Sequence, residues 1–266
     1  MALVVTEALA AFAAGPISPS RTTLDVARHL IETSVARALA QSNGASVKIA
    51  LEAAQTFGTP PQSKVLGHDV RLSAQWAAFV NAMAAHAAVV PAVLALSEPA
   101  DVRGEELLEA VIVGTEGGLR IAESVAPDHT DRGWDTAGTI AHFSTVLAAG
   151  RIVGLDAAQM RNALGIAATQ AAGLWAAFGT MTQTYHLAKA AADGVEAALL
   201  GQAGFTGPAQ PIEGRRGFAA LLARRFRPDE ITSGLGSQFK MDHTAVHDDA
   251  PRDARLRDEL ARYALA

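Results

Sequence analysis

Apolar residues recur along most of the chain at three- and four-residue intervals, a pattern that predicts helix after helix joined by short loops. The N-terminal run MALVVTEALAAFAAG carries Glu7 among apolar residues and reads as a first amphipathic helix rather than a signal peptide. From Leu24 onward, Ala27, Ile31, Val35 and Ala38 share a helical face, with Ser20 placed as N-cap and Gly44 as a stop. A further helix is predicted from Ala45 to Phe57. Between Gly58 and Leu72, paired prolines and the turn Gly67-His68-Asp69 replace that rhythm with a weak alternation that fits one small hairpin. Ser73 then caps a helix through Trp76, Phe79, Val80 and Met83, and Glu105 to Val125 forms a long one. Gly114, Gly117 and Gly118 interrupt that helix at about 1 kcal/mol each relative to alanine, so a neighbouring helix or a ligand is expected to press close there.

Further helices are predicted from Gly138 to Gly154, from the N-cap Asp156 to Ala172, from Met181 to Gln202, and from Gly217 to Arg227. From Asp242 the composition turns charged and ends in an amphipathic segment with Leu256, Leu260, Tyr263 and Ala264 on one face. The expected organisation is an all-α helical bundle over residues 1–241, with one short hairpin, followed by a charged tail over 242–266 that ends in a helix.

Composition sharpens this picture. Half of the 266 residues are apolar but only 5% are aromatic, so Ala, Leu and Val must fill a core of closely packed helices. A formal charge of −5 lacks the basic excess of a nucleic-acid binder. The absence of cysteine excludes disulfides, thiol catalysis and thiolate metal sites, and fits a reducing cytoplasm. The most apolar later run, Ala84 to Leu96, is broken by His86 and Pro91 and is too short to span a bilayer. The expectation is a cytoplasmic protein that acts on a small molecule, with no membrane or nucleic-acid partner.

No HExxH, phosphate-binding loop, GxSxG or dinucleotide fingerprint is present, and no organic cofactor is implied. His243 and His247 stand four apart near Asp248 and Asp249, a spacing that allows a metal only if helical, and a solvated tail is the favoured reading. No metal site is therefore expected. Two polar groupings carry more. The segment from His129 to Thr139 ends where a helix is expected to begin, and the backbone around Gly138, with Thr139, is placed to hold an anion or carbonyl oxygen, unless Asp135 merely caps the helix. Arg132 suits a substrate carboxylate or an ordinary ion pair, and Trp134 joins it as a substrate-binding candidate. On the helix from Met181, the residues Gln183, Tyr185, His186 and Lys189 lie on neighbouring parts of one surface. An imidazole beside an amine can move protons in a dehydrated cleft, although Lys189 paired with Asp193 and a core His186 would explain the same spacing.

Several stretches together resemble the MmgE/PrpD family: VLGHDVRLSAQWAAFVNAMAAHA (Val65 to Ala87), GEELLEAVIVGTEGGLRIAES (Gly104 to Ser124), RGWDTAGT (Arg132 to Thr139) and GLDAAQMRNALGIAATQAAGL (Gly154 to Leu174). FGTMTQTYHLAKAAADG (Phe178 to Gly194), GFTGP (Gly204 to Pro208) and IEGRRGF (Ile212 to Phe218) continue the match in order. The resemblance implies a large helical domain, usually a homodimer, whose cleft is closed in full-length members by an α/β lid. That family includes 2-methylcitrate dehydratase-like proteins and cis-aconitate decarboxylases.

Departures from the family pattern matter equally. The acidic stretch and histidine that usually follow Ala85-His86-Ala87 are replaced by AVVPAVLALSE. Asp135 stands where the family has a histidine, Gln183 where it has a lysine, and the stretch after Phe239 gives the expectation of a chain without the lid. Each positioned acid or base contributes about 10²–10⁴ in rate, so the parental dehydratase or decarboxylase chemistry is not expected to survive these changes. The sequence points instead to an enzyme of the lyase, isomerase or cyclase range, in specialised metabolism, acting on a small unsaturated or carbonyl-bearing metabolite. His186 is the expected acid/base and Asp135 its charged counterpart, with Lys189, Tyr185 and Gln183 as polarising groups and His86 a further candidate beside the altered segment. The competing expectation is a non-catalytic homologue that binds a metabolite or serves as a partner subunit.

Overall fold

The computed structural model describes residues 5–244 and 253–265. Its helices are α1 (Val5–Ala14), α2 (Arg21–Gln41), α3 (Ala45–Thr56), α4 (Ala74–Ala85), α5 (Val89–Ala100), α6 (Glu105–Val125), α7 (Asp128–Asp131), α8 (Thr136–Thr139), α9 (Ala141–Ile152), α10 (Ala157–Gln170), α11 (Met181–Gln202), α12 (Phe218–Leu222), α13 (Asp229–Thr232) and α14 (Ala254–Ala261). Strands β1 (Ser63–Lys64) and β2 (Arg71–Leu72) form the one antiparallel hairpin among the described residues, pairing Ser63 with Leu72. The architecture is all-α, as the periodicity predicts.

Local chemistry sets most helix starts. The Ser20 hydroxyl accepts from the Thr23 amide at 3.1 Å, and Asp156 with Gln159 closes a reciprocal capping box on α10. Helix α5 was not foreseen, because Pro91 reads as a break. In the structure Pro91 sits in the first turn, where a helix has no use for its missing amide hydrogen, and His86 ends α4 in the left-handed region at φ 52°.

The helix expected over Gly138 to Gly154 is two pieces, α8 and α9, meeting at Ile140, and it starts two residues early because Asp135 caps it. The helix expected from Gly217 to Arg227 stops at Leu222. Beyond it the Arg227 amide donates to Ser124 at 2.9 Å and the Arg224 amide to the Asp128 carboxylate, while Pro228 disfavours a helical Arg227.

The centre of the bundle is a row of helices, α6 against α9, α9 against α11, and α11 against α4. Small residues set the spacing. A Cβ at Gly118 would lie 1.9 Å from Ser144 Oγ, and one at Gly114 would lie 2.5 Å from the Ser144 carbonyl. The glycines of α6 therefore accommodate a neighbouring helix and not a ligand. On the far side of α9, Gly194 of α11 meets Thr145, where a Cβ would be 2.3 Å from Oγ1. Close packing of this kind leaves α9 and α11 little freedom to slide, and both carry site residues.

Inside α6, Glu116 and Arg120 form a fully buried ion pair at 2.6 Å. Arg120 also donates to the carbonyls of Ile231, Ser233 and Gln238, and Glu116 accepts the amides of Lys240 and Met241. One helix thereby latches the irregular segment 231–241. Helix α14 packs against α2, burying Leu256, Leu260 and Tyr263 as expected. Leu265 takes the core position expected of Ala264, whose φ of 56° turns the chain. Lys64 of β1 pairs with Glu259 at 2.7 Å, tying the hairpin to this terminal helix. His247, Asp248 and Asp249 lie outside the described residues, and the latter hold no group of three or more His, Asp or Glu placed to bind a metal. No helix among those residues is long and apolar enough to cross a membrane.

Candidate active site

Two stretches of backbone meet at the base of the site. The Asp135 amide donates to the Gly173 carbonyl at 3.1 Å, the Ala172 amide to Gly138 at 3.0 Å, and the Trp175 amide to Gly133 at 2.9 Å. The contact requires glycine on both sides, since a Cβ at Gly138 would lie 2.5 Å from the Gly173 Cα. This short ladder ends α10 at Gln170, two residues before the expected Ala172, and fixes the orientation of Asp135.

Asp135 performs two tasks. Its Oδ1 accepts from the Ala137 amide at 3.2 Å and caps α8, so the capping role is real. Its Oδ2 stands 2.7 Å from Nδ1 of His186, which α11 delivers from the opposite side. Both side chains are at least nine-tenths buried. A carboxylate only accepts, so Nδ1 carries the hydrogen, and in the neutral ring Nε2 then holds the lone pair. The His–Asp pair thus presets a base-competent tautomer.

His186 lines a cavity of about 780 Å³ that also takes in Tyr185, Lys189, His142, Asp193 and Gln170. Leu174, Ala176 and Ala177 supply an apolar wall. Tyr185 stands with its ring edge on Phe79, 5.6 Å between centroids, and together with Thr182 it divides this cavity from a second hollow of about 360 Å³. Lys189 is ion-paired with Asp193 one turn along α11, and its side chain remains 42% exposed.

The structure thus brings His186, Asp135, Tyr185 and Lys189 together and leaves the other candidates aside. Gln183 accepts from the Gly179 amide at 3.2 Å at the start of α11 and does not line the cavity. Thr139 is buried, with Oγ1 on the Asp135 carbonyl at 2.8 Å and beside Nε2 of His129 at 3.0 Å. The Gly138 amide is spent on the Asp135 carbonyl at 3.2 Å. An anion or carbonyl oxygen held by Thr139 and Gly138 does not fit this geometry, because their polar groups are already engaged behind the cavity wall. Trp134 bridges Leu174 through its backbone, while Arg132 and His86 are exposed and lie off the cavity.

Sequence reasoning missed His142 and gave Asp193 only the role of a partner for Lys189. Nε2 of His142 lies 2.9 Å from Oδ2 of Asp193, with both side chains 1% exposed. Asp193 is buried among the alanines of α11, and a buried charge demands a partner, which was the available signal. His129, behind Asp135, is held below its ordinary pKa by burial, against the opposing pull of Asp135 and Asp128.

The fold and site can be set beside known proteins. A family model for the MmgE/PrpD N-terminal domain matches residues 7–231. The chain belongs to the MmgE/PrpD family. It is 27% identical to the cis-aconitate decarboxylase-like protein oryM of Aspergillus oryzae, over 86% of this chain and 55% of the relative. It is 29% identical to a cis-aconitate decarboxylase of Aspergillus terreus, over 70% of this chain and 44% of that protein. The corresponding human enzyme is 32% identical over 74% of this chain and 45% of its own length. This MmgE/PrpD chain therefore spans about half the length of the curated relatives it matches.

Proposed function

We propose that this MmgE/PrpD protein is an enzyme of the lyase, isomerase or cyclase range that moves a carbon-bound proton in a small unsaturated or carbonyl-bearing metabolite. The observation that carries the reading is the 2.7 Å contact between His186 and Asp135 at the wall of the cavity. In the proposed reaction Nε2 of His186 takes a proton from a carbon next to a carbonyl, and the C–H electron pair moves into an enolate. Asp135 stabilises the imidazolium so formed. The proton then returns to a different carbon, or the enolate closes a ring or expels a leaving group. Tyr185 and Lys189, in the same cavity, serve as polarising donors to the enolate oxygen.

The Aspergillus terreus and human relatives are named for cis-aconitate decarboxylation, and that reaction is the natural comparison for this chain. We favour a different substrate, because Asp135 and Gln183 replace a histidine and a lysine of the family pattern. A cysteine-free composition fits work in a reducing cytoplasm, and homodimerisation follows the family resemblance.

The test is deuterium uptake. The protein is incubated in D2O with a panel of enones, 2-oxo acids, unsaturated acids and cis-aconitate, and each compound is weighed by mass spectrometry. The expected result is catalysed exchange or conversion of at least one panel member other than cis-aconitate, abolished in His186→Gln. No reaction with any member, or an equal rate in His186→Gln, would overturn the proposal.

A further inference from the structure

The cavity holds a second imidazole–carboxylate pair, built from the same two stretches of chain as the first. Asp135 and His186 are 51 residues apart, and so are His142 and Asp193. His142 therefore follows Asp135 by the same interval at which Asp193 follows His186 on α11, two helical turns. The ring nitrogens are used in the opposite sense. His186 gives Nδ1 to its carboxylate, whereas His142 gives Nε2, and Nδ1 of His142 is buried with no partner among the described residues. A bare ring nitrogen is less costly to bury than an orphaned N–H, so His142 donates from Nε2 to Asp193.

Asp193 is the anchor of a fixed cation. Its carboxylate, 1% exposed, receives His142 on Oδ2 and the Lys189 ammonium on Oδ1. The Gln170 amide can offer its oxygen to Lys189 at 3.4 Å or, turned, its nitrogen to both Asp193 oxygens at 3.0 Å. The turned orientation satisfies two buried acceptors and is the stronger arrangement. Lys189 keeps further N–H donors for a ligand, since an ammonium has three. No other lysine or arginine lines this cavity among the described residues. Lys189 and His186 are three apart on α11 and line the same cavity, so their Cβ atoms lie about 5–6 Å from each other.

We propose that Lys189, held by Asp193 and His142, is the oxygen-anchoring subsite of the cavity, and that the substrate offers it a single carboxylate or carbonyl oxygen. The remainder of the substrate is apolar and lies against Leu174, Ala176 and Ala177. A compound with several carboxylates meets one cation, already paired with the buried Asp193, which is poor electrostatic complementarity. His142 is a positioning residue that acts through Asp193. This inference rests on the proposed function for the role of His186, but its test reads binding and not turnover.

Binding is measured by calorimetry with sorbate as a monocarboxylate, cyclohexenone as a neutral carbonyl and citrate as a tricarboxylate. Sorbate or cyclohexenone binds the wild type more tightly than citrate does, and which of the two leads separates the carboxylate from the carbonyl source. Lys189→Met weakens the preferred probe by about tenfold or more. His142→Leu weakens it as well, and His142→Gln, which keeps an N–H for Asp193, restores it; a melting curve confirms that each variant is folded. Tighter binding of citrate, no saturable binding of either small probe, unchanged affinity in Lys189→Met, or no rescue by glutamine overturns the subsite. Lysine-dependent binding with no deuterium exchange in any compound would instead leave the subsite standing and remove the catalytic reading.

Discussion

His186 and Asp135 lie 51 residues apart in the chain, and their side chains meet at 2.7 Å with both groups buried. The contact makes Asp135 responsible for the tautomer of His186, while its other oxygen caps α8 at the Ala137 amide. Asp135→Asn keeps an oxygen for the cap and removes the charge. It is expected to lower kcat by about 10²–10⁴ with circular dichroism and melting temperature little changed. Steady-state kinetics on whichever panel compound reacts, beside a melting curve, checks both halves. A drop in stability with kcat intact would make the pair structural.

Most of this fold was legible because its helices are long and their ends carry local signals. Ser20, Ser73 and Asp156 mark starts by capping chemistry alone, and Glu105 to Val125 appears with the expected bounds. What was not legible depends on partners distant in sequence. Helix α12 stops early because Ser124 and Asp128 take the amides that a longer helix would use. The site divides in the same way. The surface bearing Tyr185, His186 and Lys189 follows from helical spacing, whereas the loss of Thr139 and Gly138 from the cavity follows from a backbone contact with Ala172 and Gly173. His142 could be found only by asking which group would neutralise an aspartate buried among alanines.

His129 makes acid stability measurable. Burial lowers its pKa in the folded chain below the ordinary 6.5. Above that value both folded and unfolded chains hold it neutral. As the pH falls below it, the unfolded chain takes up the proton first, so the stability contributed is lost progressively down to the folded pKa. His129→Gln should therefore lose less stability than the wild type between about pH 7 and pH 5. Urea midpoints at several pH values across that window provide the comparison; parallel curves would deny the burial effect.

Gly118→Ala tests the helix contact that holds α9 in place. The added methyl would meet Ser144 Oγ at 1.9 Å, closer than any side chain tolerates. The expected cost is about 1–3 kcal/mol, seen as a melting temperature lower by roughly 2–10 °C. Adding Ser144→Ala removes the nearest atom and should recover part of the loss, a coupling that a double-mutant cycle measures.

Arg120→Met breaks the buried pair with Glu116 and the three carbonyl contacts to the 231–241 segment. Stranding the Glu116 carboxylate in the core should cost about 3–5 kcal/mol, read as a lowered urea midpoint. A shift below about 1 kcal/mol would mean that Glu116 finds other donors or takes up a proton.

The ring state of His186 can be read directly, without knowing the substrate, by two-bond proton–nitrogen correlation in protein carrying nitrogen-15 histidine. The predicted spectrum of the neutral ring has hydrogen on Nδ1 and a bare Nε2, and a bound carbonyl compound shifts Nε2 while leaving Nδ1 nearly unmoved. A hydrogen on Nε2, or a ligand that occupies the cavity without disturbing that nitrogen, would contradict the assignment of His186 as the base.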